Sequence, residues 1–301
     1  LETLPPSAER DRQEVNLLST LGTALSALQG YASPEVRSVY ARAQDLCERI
    51  GPTPQHFWVL WGLWAFHLVG AEHEEAVAVG RKMMDLALQE KNLSWQLEAH
   101  FSLGLSFFFM GDLRPAQEHL ERAVAIYDPE TRHADAHLVV QDVGVTSRSV
   151  AALCLFHLGE TDLAIERSRQ ALELAETLAH PFSKAYALGC AAWFNLYLRD
   201  AAAARRHAQA AIDLSTEQGF LWWQIWGTVL GGRALAGPES ERAGASVAQI
   251  RAGIDAWRQT GSQFTIPYFL ALQAEANAAE GDADAALALV REAREIGRAH
   301  V

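Results

Sequence analysis

The sequence of 301 residues predicts an all-α fold, an α-solenoid of about seven stacked helical hairpins. Ala and Leu dominate the chain and Pro is rare away from helix starts, which favours helix nearly throughout. Similar residues also recur at a regular interval, because Ala164 and Ala171 return 40 residues later as Ala204 and Ala211. A period near 40 indicates supersecondary units that bury their apolar faces on one another.

The segment 98–128 shows the repeating unit most clearly. Its small and large apolar residues follow the spacing of a tetratricopeptide repeat: Leu103, Gly104, Phe107, Ala116, Leu120 and Ala123. Gly111 separates the two helices. The usual repeat has about 34 residues, so a period near 40 predicts somewhat longer helices. Stacked hairpins of this kind should form a right-handed superhelix with a concave and a convex face.

The first hairpin is predicted from its start signals and its apolar stripe. Ser7 is a candidate N-cap for a helix over 8–29, and Ser33 followed by Pro34 starts the second helix. That helix should end near Gly51. The apolar stripe of the first helix consists of Val15, Leu18, Leu21, Leu25 and Leu28.

The other six hairpins follow in order, each separated by turn residues. Their predicted helix pairs are 54–70 with 73–91, 93–111 with 113–127, 143–159 with 161–179, 181–198 with 200–218, 219–236 with 239–260, and 264–280 with 282–295. The repeat pattern is interrupted at 128–142, which is predicted to be an inserted loop. Such loops inside compact arrays are often functional.

We expect residues 1–295 to form a single repeat domain. The chain starts at Leu1 rather than Met, which suggests a fragment of a longer protein. The last six residues, 296–301, match the conceptual translation of a common sequencing adapter, so we expect them to be a non-native tail. The alternative is an ordinary helix end at Gly297.

Composition excludes several classes of function. The chain has 25 basic and 37 acidic residues and a formal charge of −12, without a basic stripe, so nucleic-acid binding is not expected. The most apolar stretch, 57–70, is too short to span a bilayer, and we expect no signal peptide. Cys47, Cys154 and Cys190 lie far apart in apolar helical contexts, which is typical of a reduced cytoplasmic protein.

Five short segments carry a resemblance to a known family. They are Gln141-Asp142-Val143-Gly144-Val145, Ala179-His180-Pro181-Phe182-Ser183, Glu217-Gln218-Gly219-Phe220, Ala256-Trp257-Arg258-Gln259-Thr260-Gly261 and Pro267-Tyr268-Phe269-Leu270. Together they resemble the C-terminal tetratricopeptide tail of large bacterial signalling proteins. In those proteins a class III adenylate/guanylate cyclase domain and a STAND-type ATPase domain precede the tail.

The resemblance extends over about 5–294, and the tail is also similar to the sensor domain of the maltose-regulon activator class. It implies a sensing module that regulates upstream domains. No GxxxxGK[ST] loop is present, so cyclase and ATPase chemistry is not expected in these residues. Val143 stands where the family pattern has Pro.

The repeat register predicts which residues of the first helices face the concave groove. They are Phe57, Trp64, His67, Glu98, Phe101, Phe108, Tyr186, Trp193, Trp226, Arg233, Tyr268 and Glu275. Aromatic rings with a few charges are suited to binding a peptide or a small ligand, because they offer large contact area at low entropic cost. The alternative is that longer helices close the groove and the rings belong to the core.

Several polar residues lie within the inserted loop or directly after it. Gln141, Asp142 and Arg148 are candidates for holding it against the rim of the groove. His133 and His137 have helical metal-ligand spacing, but no third ligand accompanies them, so we expect no metal site.

The leading hypothesis is a non-catalytic module without a cofactor. It would bind a protein, a peptide or a small-molecule effector in its concave groove. A second hypothesis is a purely architectural scaffold for homo-oligomerisation. A small-molecule hydrolase is the least favoured reading, because no G-x-S-x-G motif is present and Ser183 near His180 is placed for capping or packing.

Overall fold

The computed structural model describes residues 7–29, 31–51, 54–129, 141–236 and 243–299. Within these ranges it contains fourteen helices and no strand, which confirms the all-α prediction. The helices in chain order are α1 (Ala8–Gln29), α2 (Pro34–Ile50), α3 (Pro54–Val69), α4 (His73–Gln89), α5 (Leu93–Met110), α6 (Leu113–Ile126), α7 (Val143–His157), α8 (Thr161–Leu178), α9 (Pro181–Tyr197), α10 (Ala201–Gln218), α11 (Leu221–Leu235), α12 (Ala243–Gln259), α13 (Ile266–Ala279) and α14 (Ala283–Ala299).

The helices form seven hairpins in the predicted order. Each helix packs on the next along the chain, and the odd-numbered helices also pack on one another from α1 to α13. Among the described residues, the even-numbered helices make no comparable contacts with one another. The array therefore curves with its odd-numbered helices on the inner face and its even-numbered helices on the outer face.

Local signals set the helix ends, as the sequence predicts. The Ser33 hydroxyl accepts a hydrogen bond from the Val36 amide (3.2 Å), which caps the start of α2. Gly111 ends α5 in the left-handed region at φ 85°, a conformation that favours glycine. The helix α14 continues to Ala299, and Ile296 packs against the core. The origin of residues 296–301 stays a prediction.

Small residues permit close helix contacts in the first hairpins. The Tyr40 ring of α2 lies between Gly22 of α1 and Gly62 of α3. A Cβ added at Gly22 would lie 2.6 Å from this ring, and one added at Gly62 would lie 2.3 Å from it. Both glycines are therefore needed for the ring to pack between the two helices.

No helix within the described ranges combines the length and the apolar character that a bilayer crossing requires.

Candidate ligand-binding site on the inner face

Aromatic rings fill the interior of the array. The Trp193 ring of α9 has centroid distances of 5.9 Å to Phe108 in α5, 5.4 Å to Trp226 in α11 and 4.6 Å to Tyr268 in α13. Rings from helices that are two hairpins apart thus meet at Trp193. Such pairs stabilise a core beyond the burial of their apolar surface.

The loop before α13 closes the interior from the other side. The Gln263 amide donates a hydrogen bond to the Val69 carbonyl at the end of α3 (2.8 Å). The neighbouring Phe264 ring lies 4.7 Å from the Phe109 ring of α5. These contacts join the second and third hairpins to the residues between the sixth and seventh, so the array closes on itself.

Most of the residues predicted to face the concave groove lie in this closed interior instead of on an open surface. Eight of the twelve predicted groove residues are buried: Phe57, Trp64, Glu98, Phe101, Phe108, Tyr186, Trp193 and Trp226. They are buried because rings from the inner helices pack on each other instead of facing solvent. Their predicted role in ligand binding stays a prediction.

Three of the other predicted residues meet at a cavity of about 320 Å³ on the inner face. Arg233 lies near the end of α11, and Tyr268 and Glu275 share one side of α13. The ends of α7 and α9 complete the wall. The other lining residues are Phe156, Leu196, Tyr197, Arg199, Ala201 and Leu272.

An ion pair lies on the wall of this cavity. The Arg233 Nε and Nη2 atoms both donate to Glu275 Oε2, at 2.9 and 2.6 Å. The Arg233 side chain is 17% exposed and that of Glu275 is 50% exposed. Because both bonds use one carboxylate oxygen and two of the three guanidinium nitrogens, each group keeps bonding capacity for a ligand.

The Tyr268 hydroxyl is shielded from solvent and makes no hydrogen bond of standard geometry among the described residues, although the Tyr197 hydroxyl is close enough to interact with it. Burial raises the pKa of Tyr268 well above its ordinary value, and the nearby Tyr197 and Glu275 raise it further. The group is therefore a neutral donor at physiological pH. A buried hydroxyl without a hydrogen bond of standard geometry costs about 1–3 kcal/mol, so a ligand that accepts its hydrogen bond would be stabilised there.

Several residues that line the cavity are not among the groove residues predicted from the sequence. Tyr197 follows Trp193 by one helical turn and could have been found by extending the register beyond one ring per helix. Arg199 lies in the turn after α9 at φ 60°, and no periodic pattern points to a turn residue. For Phe156 the sequence predicts only a position within a helix.

His67 does not join this cavity. It lies at the end of α3, where its Nδ1 atom pairs with the Glu72 carboxylate. The side chain is 17% exposed. The structure therefore places this histidine at a helix end, and it is not among the residues that line the cavity.

The predicted rim residues Asp142 and Arg148 lie at the opposite end of the inner helices. Asp142 Oδ1 accepts from the Val145 amide (3.1 Å) and caps α7, while Oδ2 accepts from the Tyr127 hydroxyl (3.1 Å). The Arg148 guanidinium lies over the Tyr127 ring at 5.1 Å and donates to the Gly144 carbonyl. These contacts hold the start of α7 against the end of α6.

Gln141 is half-buried directly before this cap. The inserted segment itself, including His133 and His137, lies outside the described residues. That Gln141, Asp142 and Arg148 hold the inserted segment against the rim of the groove stays a prediction. In the described part of the chain, no three His, Cys, Asp or Glu side chains are grouped as a metal site requires.

Ser183 links the starts of α7 and α9. Its hydroxyl accepts from the Asp142 amide (2.8 Å) and donates to His180 Nδ1 (2.9 Å), and the Ser183 amide is also bonded to that nitrogen (3.3 Å). Ser183 has no exposed surface. The arrangement is a helix cap that joins two hairpins, as the sequence reasoning expected.

Glu98 is a buried acid in the interior. Its Oε2 atom accepts a hydrogen bond from Trp61 Nε1 (3.3 Å), and only 7% of the residue is exposed. Burial raises the pKa of Glu98 to about 8, the Trp61 hydrogen bond lowers it, and the Asp142 charge raises it. The carboxyl group is therefore largely protonated at neutral pH.

A larger groove of about 610 Å³ lies on the outer face, between α10 and α12. It is lined by Arg205, Arg206, Gln209, Ala210, Ile212, Asp213, Gly231, Leu235 and Gln249, most of which are exposed or half-buried. We favour the smaller inner cavity as the candidate site because it combines an aromatic wall with a shielded hydroxyl group.

Comparison with known sequences finds a distant relative of this chain. No protein-family model matches the chain. An uncharacterised protein of Rhizobium meliloti (strain 1021) is 24% identical over 290 residues, which cover 93% of this chain and 27% of that protein. The chain thus spans about a quarter of the length of this curated relative.

Two solved structures share the fold. A Rap protein complexed with Competence and Sporulation Factor has a TM-score of 0.61 at 13% identity, over 98% of this chain and 99% of that chain. A STAND protein (signal transduction ATPase with numerous domains) with a tetratricopeptide repeat sensor, from Pyrococcus horikoshii, has a TM-score of 0.53 at 13% identity. That match covers 95% of this chain and 44% of the other. The fold is therefore a tetratricopeptide-type solenoid, as predicted.

Proposed function

We propose that this chain is a non-catalytic sensing module that binds a peptide or a small-molecule effector in the inner-face cavity. The observation that carries the proposal is the cavity itself, where Arg233, Glu275 and the shielded Tyr268 hydroxyl meet beside an aromatic wall. The two solved structures support a binding role by analogy, since one is a complex with a factor and the other contains a repeat sensor.

Ligand binding in this cavity would be coupled to the shape of the array through its aromatic core. Tyr268 packs directly on Trp193, which in turn contacts Phe108 and Trp226. A ligand that repositions Tyr268 would alter contacts among α5, α9, α11 and α13. We propose that the resulting change in curvature biases upstream domains of the same polypeptide, since packed interfaces shift between discrete arrangements.

The upstream domains in this proposal are the cyclase and the STAND-type ATPase that the sequence resemblance implies. The relative from Rhizobium meliloti is several times longer than this chain, which leaves room for such domains. The proposal includes a cytoplasmic location, favoured by three buried cysteines without a disulfide.

Unbiased selection of ligands tests the binding half of the proposal. Random peptides displayed on phage are panned against the purified chain, and enriched sequences are titrated against wild type, Tyr268→Phe and Arg233→Ala. We expect both substitutions to weaken binding. Arg258→Ala is a matched control, because Arg258 forms a comparable ion pair with Glu292 (2.7 Å) outside the cavity. Enriched peptides that bind all four proteins equally would contradict the assignment of the cavity.

The regulatory half is tested in the full-length gene product. Cyclase and ATPase rates are measured with the repeat module intact, with the module truncated, and with Tyr268→Phe. We expect truncation to change at least one rate. Unchanged rates after truncation would rule out regulation by this module, whatever it binds.

Homo-oligomerisation is a second candidate function. The last helix, α14, exposes Leu287 (55%) and Val290 (41%) on one side. Light scattering over a wide range of protein concentration distinguishes this reading. A concentration-dependent mass that Leu287→Glu abolishes would favour a scaffold, whereas a constant monomer whose melting temperature rises with ligand would favour sensing.

A further inference from the structure

We infer that the inner-face cavity takes a carboxylic acid with one negative charge and an aromatic body. The acid group would pair with Arg199 and Arg233, and the ring would lie against Tyr197 and Tyr268. This inference rests on the proposed function, because it names the class of ligand for the same cavity.

The charges of the cavity set the charge of the ligand. Two guanidinium groups, Arg199 and Arg233, and one carboxylate, Glu275, line its wall. Glu275 neutralises one positive charge through the ion pair with Arg233. Arg199 has no ion pair among the described residues, so one positive charge remains for a ligand, in a chain whose overall charge is −12.

A carboxylate fits this arrangement better than a phosphate. A planar guanidinium binds a carboxylate through two parallel hydrogen bonds. A phosphate ester dianion would bring a second negative charge close to the Glu275 carboxylate. Since like charges at short range repel, the cavity should prefer the singly charged acid.

The apolar part of the cavity wall indicates the size and the aromatic character of the uncharged part of the ligand. The rings of Phe156 and Tyr197 are stacked at 5.3 Å, and the Tyr197 and Tyr268 rings meet edge to face at 6.3 Å. Leu196 and Leu272 extend this wall. A volume of about 320 Å³ is near the lower limit for ligand pockets, so a body of one or two rings is the appropriate size.

The Tyr268 hydroxyl supplies the specific hydrogen bond. Tyr268 lines the same cavity wall as Arg233 and Glu275, and its hydroxyl is shielded from solvent there. This hydroxyl makes no hydrogen bond of standard geometry among the described residues, and the hydroxyl of Tyr197 is its nearby polar neighbour. A carboxylate bound at Arg233 would accept a hydrogen bond from this hydroxyl, which would then have a partner of standard geometry.

The same chemistry could come from a free aromatic acid or from the C-terminal carboxylate of a peptide that ends in an aromatic residue. Four probes separate the sources: 3-phenylpropionate, 3-phenylpropanamide, and a four-residue peptide ending in phenylalanine with a free or an amidated C-terminus. Each is titrated into the purified chain by isothermal calorimetry and by saturation-transfer NMR. We expect the free acid of at least one pair to bind and its amide to bind about tenfold more weakly or not at all.

Single substitutions identify the residues that bind the acid. Arg199→Ala leaves the Arg233–Glu275 pair intact and should weaken the acid about tenfold. Tyr268→Phe removes one oxygen and should weaken it about fivefold. Arg258→Ala should have no effect, and thermal melts verify that all variants are folded. An amide that binds as well as its acid, or an acid that binds Arg199→Ala as well as wild type, would overturn the inference.

The outcome also separates this inference from the proposed function. If neither acid binds, but peptides selected by display still depend on Tyr268 and Arg233, the cavity is a ligand site and the proposed class of ligand is wrong. If no selected ligand depends on these residues either, both the inference and the assignment of the cavity fail.

Discussion

Replacement of Glu98 by glutamine tests the description of the interior most directly. Glu98 is 7% exposed and holds one hydrogen bond, from Trp61 Nε1 at 3.3 Å. Glutamine has nearly the same shape, keeps an oxygen that can accept this bond, and cannot ionise. The substitution therefore removes the charge of the side chain and leaves its packing largely unchanged.

The magnitude follows from the pKa of Glu98, which is about 8 in the folded chain against an ordinary value of 4.5. Between these values the unfolded chain has lost the proton that the folded chain still binds. The contribution of the neutral acid to stability is therefore fully present below pH 4.5 and is lost as the pH rises towards 8. At about 1.4 kcal/mol per pKa unit, the loss is about 3–5 kcal/mol.

The assay is urea unfolding of wild type and Glu98→Gln at pH 5 and at pH 8.5. Other titrating groups act equally in both proteins, so the difference between them isolates Glu98. We expect wild type to lose about 3–5 kcal/mol relative to Glu98→Gln between the two pH values. Glu74→Gln, at an exposed position of α4, should follow wild type. If wild type and Glu98→Gln show parallel pH dependence, the raised pKa of Glu98 is refuted.

Three further predictions address packing and titration. Gly144→Ala should destabilise the fold by about 1–3 kcal/mol, because its Cβ would lie 2.4 Å from the Tyr127 ring. The control is Gly244→Ala, whose Cβ would have nothing within 4 Å. In thermal melts this control should be neutral or slightly stabilising. Burial and the neighbouring His119 lower the pKa of His100 to about 4, so the folded state loses stability as the pH falls from about 6.5 to 4. His100→Gln should lose less stability over this range. Equal losses in both proteins would argue against a buried neutral pair of His100 and His119. Phe264→Ala removes the ring that contacts Phe109 of the third hairpin. The radius of gyration measured by X-ray scattering should therefore increase, and the melting temperature should fall. An unchanged radius of gyration would show that this contact does not hold the array closed.

Local sequence signals were sufficient for the helices and their order. The predicted starts and ends agree with the structure within a few residues, because caps such as Ser33 and breaks such as Gly111 act on the adjacent backbone alone. The assignment of first helices to the inner face also follows from the register, since small residues mark the contacts within each hairpin. These features depend on neighbours that are close in the sequence.

The cavity could not be predicted in the same way. The register treats Trp193 and Arg233 alike, as inward-facing residues of first helices. In the structure Trp193 is buried among rings from three other helices, whereas Arg233 lines the cavity. The difference depends on how tightly the hairpins wind, and that is set by packing between residues far apart in the chain.

The sequence alone determined an all-helical array of successive hairpins, with aromatic residues on the first helix of each of several hairpins. Only the tertiary structure decided which inward residues remain accessible. A small rotation between successive hairpins accumulates along the array, and here it brings Phe264 onto Phe109 across the interior. Because this rotation is a sum over many helix contacts, no single segment of the sequence specifies where the interior closes and where the cavity remains.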